Sequence, residues 1–179
     1  MYKRSSIVLA IVMLLVCLDT GRASAQALEI VESAWTSGVH DLQYVDKLGP
    51  NVPQHPLYLW LRVAADEGAL RELEKKNMLP MRNRWRYYAG IGTESESREV
   101  IDEIHLGVGT AELVAKLERE IAASPDGKFD WRVWSMKSRI RPGDWVVEVV
   151  YSDAGSTPVP CRSQATNALE PCRFEIRVQ

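Results

Sequence analysis

Apolar and polar positions alternate along most of this chain, a period of two that predicts short β-strands with one buried face. The pattern is strongest from Phe129 to Ser152, where FDWRVWSMK and DWVVEVVYS flank the basic turn Lys137 to Gly143. Two runs so rich in Trp, Val and Tyr around one turn predict an antiparallel pair, the central hairpin of the fold. In its second arm Trp145, Val147, Val149 and Tyr151 share one side, with Val146, Glu148 and Val150 on the other.

The remaining segments follow the same logic. Leu28 to Trp35 reads as a first strand turned by Thr36, Ser37 and Gly38, and His40 to Val45 as a weaker second one. Lys47 to Pro56 carries Gly49, Pro50, Pro53 and Pro56 and is expected to form neither helix nor ladder. Leu57, Leu59, Leu61 and Val63 form one face of a stronger strand. Asp66 is placed to cap a helix through Lys76, with Leu70 and Leu73 as its apolar stripe and Asn77 with Pro80 as its stop. Arg82 to Tyr88 alternates again, setting Trp85, Tyr87 and Ala89 against Arg84, Arg86 and Tyr88. After a polar loop from Glu94 to Arg98, Val100 to Val108 reads as a strand. Thr110 is expected to cap a helix over Ala111 to Ala123, whose Leu113, Leu117 and Ile121 recur every four residues. A polar loop between the last two cysteines leads to a closing strand in which Phe174, Ile176 and Val178 face inward. Strands and helices do not alternate regularly, so the pattern predicts a mainly β fold: an antiparallel, immunoglobulin-like β-sandwich with two short inserted α-helices.

The N-terminus changes this picture. Lys3 and Arg4 precede an apolar run from Ile7 to Leu18 and the small residues Ala23, Ser24 and Ala25. That is the layout of a secretory signal peptide cleaved after Ala25, leaving residues 26–179 as one secreted β-rich domain. The apolar run falls short of the roughly 20 residues that span a bilayer, so no retained transmembrane helix is expected. Val16 is too large for the position before a lipidated cysteine, which argues against a lipoprotein. Cys17 leaves with the leader. The remaining pair, Cys161 and Cys172, is expected to form a disulfide in an oxidising compartment, closing a loop of about a dozen residues and adding about 3 kcal/mol. Losing Lys3, Arg4 and Arg22 against Asp19 takes the formal charge from −2 to −4, which gives no support for a nucleic-acid partner.

The segment WRVWSMKSRIRPGDWVVEVVYSDAG, followed by CRFEIRV, resembles a bacterial domain of unknown function, the family numbered 2914. The shared pattern is Trp-Arg-x-Trp-Ser, a basic stretch, Pro-Gly, Trp-x-Val-x-Val, Gly155 and a last Phe-x-Ile strand. Arg84 to Tyr87 resembles that family's earlier strand. The likeness covers mainly the C-terminal half. It departs in the helix before Trp131 and in the cysteine-bounded insertion. The resemblance implies an extracytoplasmic bacterial β-sandwich, often an accessory domain, and brings no reaction and no catalytic residues.

Candidate chemistry is sparse. Six tryptophans invite the idea of stacking platforms for sugar rings, though core packing is the commoner use of Trp in a sandwich. Trp131 and Trp134, three apart, face opposite sides, and Trp60 and Trp134 are taken as surface candidates. Arg82, Arg84 and Arg86, with Lys137, Arg139 and Arg141, could converge on an anionic envelope glycan, because guanidinium groups bind phosphate and carboxylate bidentately. The competing reading is a solvated strand face and a polar turn. His40, His55 and His105 lack metal-ligand spacing, Gly90-x-Gly92 and Gly107-x-Gly109 stop short of a phosphate-binding motif, and serine-nucleophile motifs are missing, so neither a metal nor a cofactor is expected. Asp102 and Glu103 are adjacent on a strand and point apart. These features predict a non-enzymatic periplasmic or secreted binding or assembly module, engaging envelope glycan or another envelope protein. An envelope hydrolase with acids or His55 or His105 assembled only in three dimensions, and a purely structural domain, are the alternatives.

Overall fold

The computed structural model describes residues 28–88, 111–152, 157–163 and 166–179, together with the backbone of 100–105. The leader, Ala89, the paired glycines, the loop Glu94 to Arg98, the Thr110 cap and the side chains of Asp102, Glu103 and His105 lie outside the described residues.

The chain runs β1 (Leu28–Thr36), β2 (Val39–His40), β3 (Gln43–Tyr44), β4 (Asn51–Val52), β5 (Leu57–Ala65), α1 (Glu67–Lys76), β6 (Met78–Tyr88), β7 (Val100–His105) and α2 (Ala111–Ala123). It continues with β8 (Phe129–Lys137), β9 (Gly143–Tyr151), β10 (Pro160–Arg162), β11 (Leu169–Pro171) and β12 (Arg173–Val178). The fold is mainly β, sandwich-like, with two helices. One sheet has the order β11-β10-β1-β5-β8 and the other β4-β12-β9-β6-β7, with β2 and β3 forming a separate ribbon. Pairing is antiparallel except for β1 with β10 and β4 with β12.

Both inner faces feed one core. Leu57, Leu59, Leu61 and Val63 of β5 and Phe129 and Val133 of β8 meet Met81 and Trp85 of β6 and Val147 and Val149 of β9. Ser135 of β8 accepts hydrogen bonds from Asn83 Nδ2 at 2.8 Å and Trp85 Nε1 at 3.1 Å, a buried polar tie between the sheets.

The central hairpin is corrected. β8 pairs with β5, β9 pairs with β6 and β12, and the two arms belong to different sheets. The segment between them is an arch from one sheet to the other. Alternation identified which side chains point inward, and both arms present bulky inner faces that a single hairpin could not bury against one partner. The arch carries its own anchor: Ile140 is buried in the core.

Three smaller expectations change for local reasons. His40 to Val45 is a hairpin rather than one strand, because Asp41 and Leu42 take left-handed φ of 47° and 62°. The proline loop does contribute a ladder, since β4 runs beside β12 and the Pro50 carbonyl accepts from Arg177 N. Within the segment the cysteines bound, β10 and β11 pair antiparallel, and Cys161–Cys172 is a disulfide with Cα atoms 5.0 Å apart. β10 and β11 sit in one sheet and β12 in the other, so the bridge pins the chain where it changes sheets.

Helix α1 is capped as its sequence dictates. The Asp66 carboxylate accepts from Ala69 N, and Asn77 closes the C-terminus in a left-handed conformation. Leu70 and Leu73 are buried, and α1 crosses from β5 to β6 while α2 leads back into β8. Because Ala65 pairs with Phe129 and Leu57 with Lys137, both helices gather at one end of the sandwich and the arch closes the other.

A buried acid ties β1 to its surroundings. Glu29 accepts from Lys128 Nζ at 3.2 Å and from Arg162 Nε at 2.5 Å. Burial alone would raise its pKa, but the two cations outweigh it and hold the carboxyl below its ordinary value of 4.5. A lowered folded-state pKa means stability that is complete above the unfolded value and lost as pH falls through the folded one. Glu29→Gln is therefore expected to lower stability by roughly 2 kcal/mol near neutral pH, since charge-assisted bonds are lost and Lys128 keeps its burial. Urea unfolding should show that gap closing as the pH drops below about 4.5.

Candidate functional site

The arch gathers the turn cations around a cleft. Its walls come from three places: Gln54, His55 and Pro56 before β5, Tyr87 and Trp145 at the ends of β6 and β9, and Lys137 to Arg141 of the arch itself. The cavity is about 770 Å³, within the range of about 300–1,000 Å³ common for small-molecule sites.

The arch is held by its backbone. Gln54 Nε2 donates to the Ile140 carbonyl at 2.9 Å, Trp145 Nε1 to the Arg141 carbonyl at 2.9 Å, and Tyr87 Oη to the Pro142 carbonyl at 2.8 Å. Three consecutive carbonyls thus each find a side-chain donor. The residues carrying charge, Lys137, Arg139 and Arg141, alternate with Ser138 and Ile140 along this fixed segment. Among the described residues no carboxylate lines the cleft. Among the described residues no ion pair involves Arg139 or Arg141.

Aromatic rings form the floor. Tyr87 and Trp145 have centroids 5.0 Å apart and tilted by 46°, and Trp145 lies edge-on to Trp85 at 6.3 Å. Lys137 Nζ sits 5.1 Å from the centre of the Trp85 ring, a cation–π contact. The Nδ1 of His55 is 2.5 Å from the Pro56 carbonyl, so that nitrogen is the protonated one.

The strand arginines do not join this cluster. On β6 the odd positions face the core, which turns Arg82, Arg84 and Arg86 to the outer face of their sheet, away from the inward-facing Tyr87. There Glu148 lies 3.9 Å from Arg84, 3.5 Å from Arg86 and 3.5 Å from Arg173, while Arg177 pairs with Asp144 at 2.6 Å. The expectation that both basic groups converge on one ligand is therefore corrected. Arg84 and Arg86 are engaged in ion pairs across a sheet surface, whereas the arch cations line the cleft.

The tryptophan candidates also divide. Trp134 is 40% exposed on the outer face of β8, with Met136 beside it at 42%. Trp60, its cross-strand neighbour, is buried at 1% and is corrected as a surface site. Its ring points outward, but the β2–β3 ribbon lies on it: Nε1 donates to the Leu42 carbonyl and Tyr44 packs edge-on at 5.0 Å. Trp131 turns inward and packs against the core.

Gln54, Tyr87 and Trp145 belong to the cleft but were not among the sequence candidates. The visible signal was Trp145, one residue past the Pro-Gly of a basic turn. Gln54, by contrast, reaches the arch across 86 residues of sequence, and no local pattern announces it. A second, smaller cavity of about 260 Å³ opens beside Trp35, Leu48, Phe174 and Cys161.

Guanidinium groups stay charged throughout the accessible pH range, so the arch cations are suited to hold an anion rather than to exchange protons with it. Compared with known proteins, the chain matches no family model, no curated protein and no solved structure. Among the described residues no helix is long and apolar enough to cross a membrane.

Proposed function

We propose that this chain is an immunoglobulin-like, non-catalytic binding module of the bacterial cell envelope, working in the periplasm or outside the cell, and that its arch cleft takes an anionic glycan. One observation carries the reading: Arg139 and Arg141 sit on the arch beside an open cavity that no carboxylate lines among the described residues, on a backbone already fixed by three side chains. Two guanidinium groups on one fixed segment suit a counter-anion, and the segment has little conformational freedom left to lose on binding one. The disulfide and the leader pattern support an oxidising compartment, and the resemblance to the numbered bacterial family supports an envelope setting.

The test is capture of envelope polysaccharide on immobilised protein of residues 26–179. Changing Arg139 and Arg141 together to Glu is expected to reduce retention at least tenfold, with retention by the original chain falling as salt rises. Changing Lys116 and Arg119 to Glu, exposed on α2 at the opposite end, alters net charge equally and is expected to leave retention intact. Equal loss in both variants, or no retention at all, would sink the reading. Capture of an envelope protein that survives the arch reversal but is lost in Trp134→Ser would instead favour the outer face of β8, where Trp134 and Met136 are exposed.

A further inference from the structure

Independently of the cleft, we infer that the edge strand β8 pairs with β8 of a second copy of this chain, antiparallel about a two-fold axis at Val133. Open strand edges invite such pairing, and proteins usually blunt them by shortness, proline, charge or bulges. Three of the four edges of the two five-stranded sheets are blunted: β11 has three residues and ends in Pro171, β4 has two and is followed by Pro53, and β7 has six with Asp102 and Glu103 among them. β8 differs from all three. It has nine residues, no proline and an unbroken register with β5, and among the described residues it joins no other ladder, β7 belonging to the facing sheet.

Backbone parity shows what that edge offers. The Trp35 carbonyl accepts from Leu48 N at 2.8 Å, outside the β1–β5 ladder, so Trp35 and Leu59 are a non-hydrogen-bonded pair and Leu59 turns its N–H and C=O toward β8. Leu28 gives the same parity at the other end of β1, since its N–H and carbonyl both meet Tyr151 Oη while it stands opposite Ala65. Leu59 faces Ser135 and Ala65 faces Phe129, so the odd residues of β8 bond to β5. Asp130, Arg132, Trp134 and Met136 therefore turn their N–H and C=O groups to the open edge, and their side chains are exposed. In the register that overlaps all nine residues, Val133 meets its own copy and Asp130 meets Met136 of the second copy. Arg132 then lies across from Trp134 of the second copy, and Trp134 across from Arg132, which twice sets a guanidinium beside an indole. No like charges fall opposite each other. Trp134 and Met136, the large apolar side chains exposed on this strand, come to lie in mid-sheet rather than at a rim. The two arches sit at opposite ends of the joined strands, about 27 Å apart.

Sedimentation equilibrium of residues 26–179 from about 1 to 300 μM is expected to show monomer passing to dimer. Trp134→Lys sets an ammonium against Arg132 on both sides of the axis, and Met136→Pro removes an N–H that points away from β5. Each is expected to weaken association at least tenfold, with far-ultraviolet circular dichroism confirming that the variant is folded. Changing Arg139 and Arg141 together to Glu, on the arch, should leave dimerisation unchanged, so this inference and the anionic-glycan reading stand or fall separately. A second measurement reads the register. Asp130→Cys chains mixed with Met136→Cys chains bring their cysteines into a directly opposed pair with Cα atoms about 5.5 Å apart, and are expected to give a disulfide-linked dimer that neither variant gives alone. A chain that stays monomeric throughout, or a dimer indifferent to both edge variants, would overturn the inference. So would a mixture that cross-links no more than either variant alone, since the strands would then meet in another register or not at all.

Discussion

Gly143→Ala is expected to cost roughly 3 kcal/mol of stability and to disorganise the cleft. Gly143 begins β9 directly after the arch, with φ at 137°, a conformation that residues with a Cβ avoid. A Cβ built there meets Tyr87 Cε2 at 2.7 Å and the Tyr88 carbonyl at 2.7 Å. The first contact could be relieved by rotating the tyrosine, at the expense of its bond to the Pro142 carbonyl. The second cannot, because Tyr88 is backbone, in register with Asp144 at the end of the β6–β9 ladder. The alanine variant must therefore push β6 away from β9 where both strands frame the cavity. Urea unfolding should show a lower midpoint with an unchanged slope, and near-ultraviolet circular dichroism should lose part of its aromatic signal. Adding Tyr87→Ala removes only the side-chain contact and is expected not to restore the midpoint. A Gly143→Ala midpoint within error of the original would mean that the arch relaxes freely, and the argument for a fixed cation frame would fall with it.

That frame shows why the fold was legible in pieces and the site only in part. Alternation along β9 placed Trp145, Val147 and Val149 inward, which they are, because the period-two geometry of a strand is local. Partner choice is not local. The segment between Lys137 and Gly143 is long enough either to return along the same sheet or to cross to a second one packed about 10 Å away. The distinguishing residue was Ile140, an apolar side chain inside a basic turn, and it is buried as an arch anchor would be. β5 carried a comparable signal. Its LYLWLRVAA sets Trp60 and Ala64 on the face opposite its leucines, the mark of a strand covered in part on that side too, and the β2–β3 ribbon supplies the cover over Trp60.

The basic residues obeyed the same division. Arg82, Arg84 and Arg86 share a strand face by spacing alone, but the ion pairs of Arg84 and Arg86 depend on Glu148, the single acid within VVEVV of β9. An acid set between valines was the hint that something cationic lies across from it. The arch cations were legible as a cluster, whereas the cavity that gives them a purpose needs Gln54 and His55 from the distant proline loop and Tyr87 from β6. Composition names the charges; only topology shows which of them line a cleft.

Trp85→Ala is expected to be more damaging still, at about 4 kcal/mol, in line with deletion of a large buried aromatic. Trp85 is fully buried and contacts both halves of the molecule. Its ring meets Trp35 of β1 edge-on at 5.6 Å and Trp145 of β9 at 6.3 Å, its Nε1 reaches Ser135 of β8, and Lys137 stands over its face. Truncation opens a cavity between the sheets and removes one of the two donors that satisfy the buried Ser135 oxygen. Ser135→Ala alone leaves the Asn83 amide and the Trp85 indole without that acceptor and should cost about 2 kcal/mol. The double variant should cost less than the sum, because the shared hydrogen bond is lost only once. Urea midpoints for the two single variants and the double complete the cycle. Strict additivity would show that the indole–serine bond contributes nothing to holding the sheets together. The cleft reports on the same change: with its aromatic support gone, Lys137 loses its fixed position, and anion affinity should fall in Trp85→Ala while remaining nearly intact in Ser135→Ala. Affinity lost equally in both would mean that the site responds to general loosening of the sandwich rather than to the ring beneath its lysine.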